Sequence, residues 1–158
     1  MFLSFKVLGE PCGQGRPIIS TINGRPRGVD PAKSRNYKAY VAVLAANAAK
    51  NHGWKYTEGP VLVVINAYFS VPKLKSKKYK AACYEDTELP CKKPDADNIA
   101  KIICDAMNGI LYKDDVQICE LTVIKRFVCE GQEPYVSVQV FQLEKVVAGD
   151  KTLKKFKR

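Results

Sequence analysis

Residues 60–71, PVLVVINAYFSV, form a near-continuous apolar run. The run falls well short of the roughly 18–20 apolar residues that span a bilayer. It reads as a central strand, and a central strand needs neighbours and a covering layer. The neighbours are legible on either side of it. Residues 2–8 alternate, with Leu3, Phe5 and Val7 on one side and Ser4 and Lys6 on the other. QICELTVIKRFV (117–128) and YVSVQVFQL (135–143) read as strands joined by a turn near EGQEP, and the V-x-V-x-V pattern implies one buried and one wet face. Helices are expected over 31–52, with Asp30 as N-cap and Pro31 at the first helical position, over 76–84, and over 96–108. Residues 9–31, rich in Gly, Pro and Arg, read as a long loop. The order strand-helix-strand-helix-strand-strand predicts a single α+β domain, a small mixed β-sheet with helices packed on it, over 1–143. The basic stretch 144–158 is expected to be a flexible tail.

Charge narrows the partners. The 158 residues carry a net charge of +10. Residues 1–57 hold nine Lys or Arg against Glu10 and Asp30 alone, KLKSKKYK (73–80) has five lysines, and KTLKKFKR (151–158) adds five more basic residues. Such a surface attracts polyanions, nucleic acid above all, although lysine runs also serve as solvated faces. The N-terminus, MFLSFKVLGE, has no charged leader or long apolar segment, so a cytoplasmic chain away from membranes is expected. Six cysteines contain no C-x-x-C pair, and His52 is the one histidine; reduced, mostly packed thiols are expected over a zinc site at Cys83 and Cys91. Trp54 receives no role.

Against this background, KKPDADNIAKIICDAMNGILYKDD (92–115) gathers five aspartates. On a helix at about 100° per residue, Asp97, Asn98, Lys101 and Asp105 share an arc of roughly 100°, opposite Ile99, Ile102, Ile103 and Ala106. One cap and an i,i+4 Asp–Lys pair are ordinary helix stabilisers, but a cap needs only one acid, and the adjacent Asp114 and Asp115 repel each other unless a cation compensates. If the following strand's leading end approaches the helix N-terminus, Asp95, Asp97 and Asp115 converge into an all-oxygen cage suited to Mg²⁺ or Mn²⁺. Lys101 then stands where it orients a nucleophile or stabilises developing phosphate charge.

The stretch 94–118 resembles the signature of the RusA family of Holliday junction resolvases, found in bacteria and their prophages: Pro-Asp-x-Asp-Asn-apolar-x-Lys, then Asp-Ala-apolar, then Asp-Asp-x-Gln-apolar. GQGRP (13–17) and Lys125 extend the similarity over most of 1–143. The resemblance implies a homodimer that binds four-way DNA junctions and makes paired incisions in opposing strands, in DNA recombination and repair, using Mg²⁺ or Mn²⁺. It implies Asp95, Asp97 and Asp115 as metal-binding acids, Lys101 as the essential lysine, and supporting parts for Asn98, Asp105, Asp114 and Lys125.

DNA contacts are expected from Arg16, Arg25 and Arg27 and from Lys73, Lys75, Lys77 and Lys78, while Tyr79 and Tyr84 either stack on unpaired bases or simply pack. GQGRP lacks a P-loop's Lys-Ser/Thr ending, so no nucleotide cofactor is expected. A restriction-type nuclease is excluded because none of the sixteen acids begins an Asp/Glu-x-Lys tripeptide. The alternatives left are a non-catalytic protein, a degenerate prophage remnant that grips branched DNA without cutting it, and a metal phosphatase for small substrates, which the extended basic surface disfavours.

Overall fold

The computed structural model describes residues 1–22 and 24–143, so the tail 144–158 lies outside the described residues. Its elements are β1 (Phe2–Leu8), β2 (Ile18–Ile22), β3 (Arg25–Val29), α1 (Ala32–Asn51), β4 (Val61–Phe69), α2 (Lys77–Tyr84), α3 (Ala96–Met107), β5 (Ile118–Phe127) and β6 (Tyr135–Gln142), with one 3₁₀ turn over Asp115–Gln117. The fold is α+β. Four strands form a mixed sheet in the order β1-β6-β4-β5, in which β4 and β5 run parallel and the other pairs antiparallel. The apolar run 60–71 is indeed interior, flanked by β6 and β5.

Alternation decides which sheet face is covered. Leu3 and Val7 of β1, Val61, Val63, Ile65 and Ala67 of β4, and Val136, Val138 and Val140 of β6 are all fully buried. They meet α3 through Ile99, Ile102, Ile103 and Ala106, and α1 through Val41, Ala45 and Ala48, in one core. The opposite face keeps Ser4, Lys6, Asn66 and Ser137, with Tyr68 stacked on Tyr135 (ring centroids 4.6 Å apart) and Phe2 on Phe141 (5.0 Å).

Three sequence expectations need correction. The segment 9–31 is not all loop: β2 and β3 pair as an antiparallel ribbon, Ile18 opposite Val29 and Ser20 opposite Arg27, turning through Gly24 at φ +73°. An Asn-Gly pair after a β-branched run is a hairpin signal. Asp30 does not cap α1. Pro31 occupies the N-cap, and the Asp30 carboxylate instead lies 3.5 Å from Lys38 Nζ. Thiols are packed at Cys12, Cys83 and Cys104, but Cys91, Cys119 and Cys129 are exposed, so packing accounts for only half of them.

Trp54 gains a role. Its indole N–H donates to the Leu111 carbonyl at 2.9 Å in a buried setting, tying the end of α1 to the turn after α3. Trp54→Phe removes the indole donor and part of the buried ring, leaving the Leu111 carbonyl only its longer bond from Thr57 N (3.4 Å), and is expected to lower the unfolding free energy by about 1–3 kcal/mol in urea titrations with an unchanged m-value. A loss below about 0.5 kcal/mol, the scatter of surface changes, would show that the clasp does not hold these segments together.

Candidate active site

Helix α3 is strongly amphipathic, and its polar side carries the candidate residues Asp97, Asn98, Lys101 and Asp105. Asp95 sits at the N-cap, yet its side chain makes no capping bond; its backbone carbonyl accepts from Ile99 N at 3.1 Å. Asp95, Asp97 and Lys101 are exposed, and Asn98 and Asp105 are half-buried. The carboxylates at the helix start are thus left free by the local structure, in the positive field of the helix N-terminus.

GQGRP is built to lie across this face. Gln14 N donates to the Asn98 carbonyl at 2.9 Å, and Gly15 N donates to Oγ of buried Ser34 at 3.0 Å. A Cβ at Gly13 would fall 2.7 Å from Pro94 Cβ and 3.1 Å from Asn98 Cβ; one at Gly15 would fall 2.8 Å from Pro31 Cγ. Only glycine allows the strap to approach α1 and α3 this closely. The strap delivers Arg16 to two adjoining grooves. One, about 750 Å³, is lined by Arg16, Lys33, Lys93, Asp95 and Asn98. The other, about 310 Å³, is lined by Arg16, Asp30, Lys38, Asn98, Lys101 and Asp105.

Lys38 is a residue that sequence reading did not single out. Its Nζ lies 3.1 Å from Asp105 Oδ2 and 3.5 Å from Asp30 Oδ2, joining α1 to α3. Lys38 and Asp105 are 67 residues apart, so no local pattern announces the pair. Lys125 Nζ donates to the Lys92 carbonyl at 2.7 Å and so tethers the segment that leads into Asp95.

The Asp-Asp-x-Gln motif divides its labour. The Asp114 side chain accepts from Val116 N at 3.1 Å, and Gln117 Oε1 accepts from Lys113 N at 2.8 Å and Asp114 N at 3.1 Å. Gln117 Nε2 donates to the carbonyls of Gly59 (2.7 Å) and Thr57 (3.2 Å), anchoring the turn ahead of β4. These bonds fix the backbone and leave Asp115 exposed. Its pKa is raised above the ordinary carboxylate value, by desolvation first, then by Asp114 and Asp105.

One chain does not bring Asp95, Asp97 and Asp115 together. Because β4 and β5 are parallel, α3 returns antiparallel to them, and the leading end of β5 arrives beside the C-terminal half of α3. Asp115 accordingly feels Asp105 and Cys104, whose thiol burial pushes up to about 12. Asp95 and Asp105 are ten residues apart on the helix, about 15 Å along its axis. Among the described residues, no three His, Cys, Asp or Glu side chains form a ready metal cluster.

The remaining basic candidates are exposed. Arg25 and Arg27 are exposed and, two residues apart, share one face of the β2–β3 ribbon. Lys73, Lys75, Lys77 and Lys78 are exposed before and on α2, whose N-cap Ser76 accepts from Tyr79 N at 3.3 Å. No helix among the described residues is long and apolar enough to cross a membrane.

Comparison with known proteins decides the family. The model of endodeoxyribonuclease RusA matches residues 9–141, nearly the whole described structure. The chain belongs to the RusA family. It is also 39% identical over 140 residues to the uncharacterized protein YqaN of Bacillus subtilis (strain 168), covering 87% of this chain and 94% of that protein. The match takes in both the strap carrying Arg16 and the whole acidic stretch.

The raised pKa of Asp115 has a measurable consequence. The folded chain binds this proton more readily than the unfolded chain, so its contribution to stability falls as pH rises from the ordinary carboxylate value through the raised one. In metal-free buffer near neutral pH, Asp115→Asn is therefore expected to raise the melting midpoint, by on the order of 1 °C given solvent screening. The gain should shrink as pH falls through the ordinary carboxylate range and vanish by about pH 2.5, where the carboxyl is neutral in both states. A lower midpoint at neutral pH would contradict this electrostatic picture.

Proposed function

We propose that this RusA-family protein resolves four-way DNA junctions by divalent-metal-dependent hydrolysis of phosphodiester bonds in opposing strands, acting as a homodimer in DNA recombination and repair. The observation that carries the reading is the pair Asp95 and Asp97, exposed at the start of α3 with no capping bond from Asp95, where Arg16 and Lys93 line the groove of Asp95 and Lys101 lies one helical turn beyond Asp97. A protein that only binds DNA gains nothing from bare carboxylates facing phosphates, since each repels the ligand.

The donor chemistry suits a hard cation. All candidate ligands are carboxylate oxygens, and like charge around Asp115 is what a divalent ion relieves. Asp95, Asp97 and Asp115 would hold Mg²⁺, with Mn²⁺ substituting. Bound there, the ion supplies Lewis acidity toward the scissile phosphate and its attacking water. Lys101, one turn beyond Asp97, places an ammonium beside the reacting group and stabilises the extra charge of the transition state. Arg16, with Arg25 and Arg27 of the ribbon, and Lys73, Lys75, Lys77 and Lys78 neutralise the backbone of the approaching arms. The Lys38–Asp105 pair keeps α1 and α3 in register behind them.

The helix-length separation of Asp95 from Asp115 gives the homodimer a chemical purpose. A two-fold-related copy can supply Asp115 to the Asp95–Asp97 end, which yields two equivalent centres, the number that paired incisions need.

The full-length protein is to be incubated with a four-way junction and with linear duplex, with and without Mg²⁺. Paired nicks in the junction that require Mg²⁺, little cutting of the duplex, and at least 100-fold slower cutting (about 2.7 kcal/mol or more) by Asp97→Asn with junction binding retained are expected. Tight binding without any metal-dependent product would favour the non-catalytic branched-DNA binder. Mixing Asp95→Asn with Asp115→Asn chains distinguishes shared from single-chain centres. If the acids are shared, half of the centres in each mixed dimer are intact and nicking returns; if each chain is self-sufficient, the mixture stays inactive.

A further inference from the structure

A third cavity, about 250 Å³, opens beside the acidic face and has no part in the chemistry above. Its floor is made by Phe69 and Phe127, the last residues of the parallel strands β4 and β5, and its walls include Tyr79 and Leu89. Phe69 is only 9% exposed, whereas Leu89 is 42% exposed, so the cavity is apolar in depth and open at the mouth.

Tyr79 is held as a platform. Its backbone N–H donates to the N-cap Ser76 Oγ at 3.3 Å, and Lys75 Nζ stands 5.0 Å from the ring centroid. Lys125 Nζ stands 5.4 Å from the Phe69 ring. Around the mouth, Lys75, Lys92 and Lys93 face a single acid, Glu88. An aromatic, apolar interior with a cationic rim matches a flat π-system joined to a phosphate; a purely apolar peptide side chain would have no use for the lysines.

The cavity also adjoins the groove of the proposed reaction centre. Lys93 lines both this cavity and the groove of Asp95, two residues before that acid. We infer that the cavity of Phe69, Phe127, Tyr79 and Leu89 receives one unstacked nucleobase of the DNA strand presented to Asp95 and Asp97, with an adjoining phosphate on Lys93. The inference rests on the proposed nuclease reading and adds to it: bases at a junction crossover unstack at lower cost than bases in continuous duplex, so an occupied cavity selects branched over linear DNA. It also decides the two readings of Tyr79, which faces a ligand cavity, while Tyr84 lies outside it.

The test uses metal-free full-length protein, so that no strand is cut. Two probes are titrated: four-way junctions carrying 2-aminopurine at each nucleotide flanking the crossover in turn, and a short single strand with one central 2-aminopurine. Wild-type protein is expected to change the emission at one junction position and in the single strand. Tyr79→Ala should abolish both changes and weaken single-strand binding about 10-fold, within the range measured for one lost base–aromatic stack. Leu89→Trp fills the cavity from an exposed position without touching the core, and should do the same, which guards against a folding defect in the first variant. Emission profiles and affinities equal to wild type in both variants would overturn the inference. The two readings fail separately: a protein that cuts junctions with variant-independent emission loses only the base site, and one that binds the single strand through Tyr79 but never cuts a junction loses only the resolvase reading.

Discussion

Burial of Ile99, Ile102, Ile103 and Ala106 against the sheet fixes the rotation of α3, and everything at the polar face follows from that rotation. Each fully buried isoleucine contributes about 1.5–3 kcal/mol relative to exposure. Two carboxylates about 7 Å apart in water repel by only about 0.6 kcal/mol. The core term wins by a wide margin, so the helix can line up Asp97, Lys101 and Asp105 toward solvent without losing its seat. A concentration of acids on a basic protein is thereby stable before any cation arrives.

The remaining framework serves to bring positive charge to that face at fixed places. The Gly13–Gly15 strap passes so close to Pro94, Asn98 and Pro31 that its path is determined by contact, and Arg16 follows directly from it. Lys125 reaches from β5 to hold the Lys92 carbonyl. Lys38 links Asp30 and Asp105, drawing α1 onto α3. Acids on the helix and cations on three other elements give a face where phosphate is attracted and carboxylates remain free.

Much of this was legible in the chain itself, for physical reasons. Period-two burial in β1, β4 and β6 and the amphipathic stripe of α3 are strong local patterns, and both appear where the sequence puts them. Gly, Pro and Arg dominate the β2–β3 segment and give it a loop's composition, although IISTING holds a hairpin signal. Asp30 was given a cap that Pro31 occupies, since its better partner, Lys38, lies on the far side of a helical turn. The site was legible as a set of residues and not as an arrangement. Convergence of Asp95, Asp97 and Asp115 assumed that β5 begins near the start of α3, whereas the parallel pairing of β4 with β5 places it by the other end. That crossover geometry has no signature in residue spacing. Lys38 with Asp105 and the cavity under Tyr79 are likewise products of tertiary packing.

The central claim is that the free carboxylates of this helix face bind a divalent cation, and paramagnetic relaxation by Mn²⁺ tests it most directly. In amide spectra of the full chain titrated with substoichiometric Mn²⁺, resonances of residues 95–98 and 114–116 are expected to broaden first, and Asp97→Asn is expected to suppress the effect at the helix start. Broadening confined to other acids, such as Glu85, Asp86 and Glu88, or uniform weak broadening across the surface would contradict it.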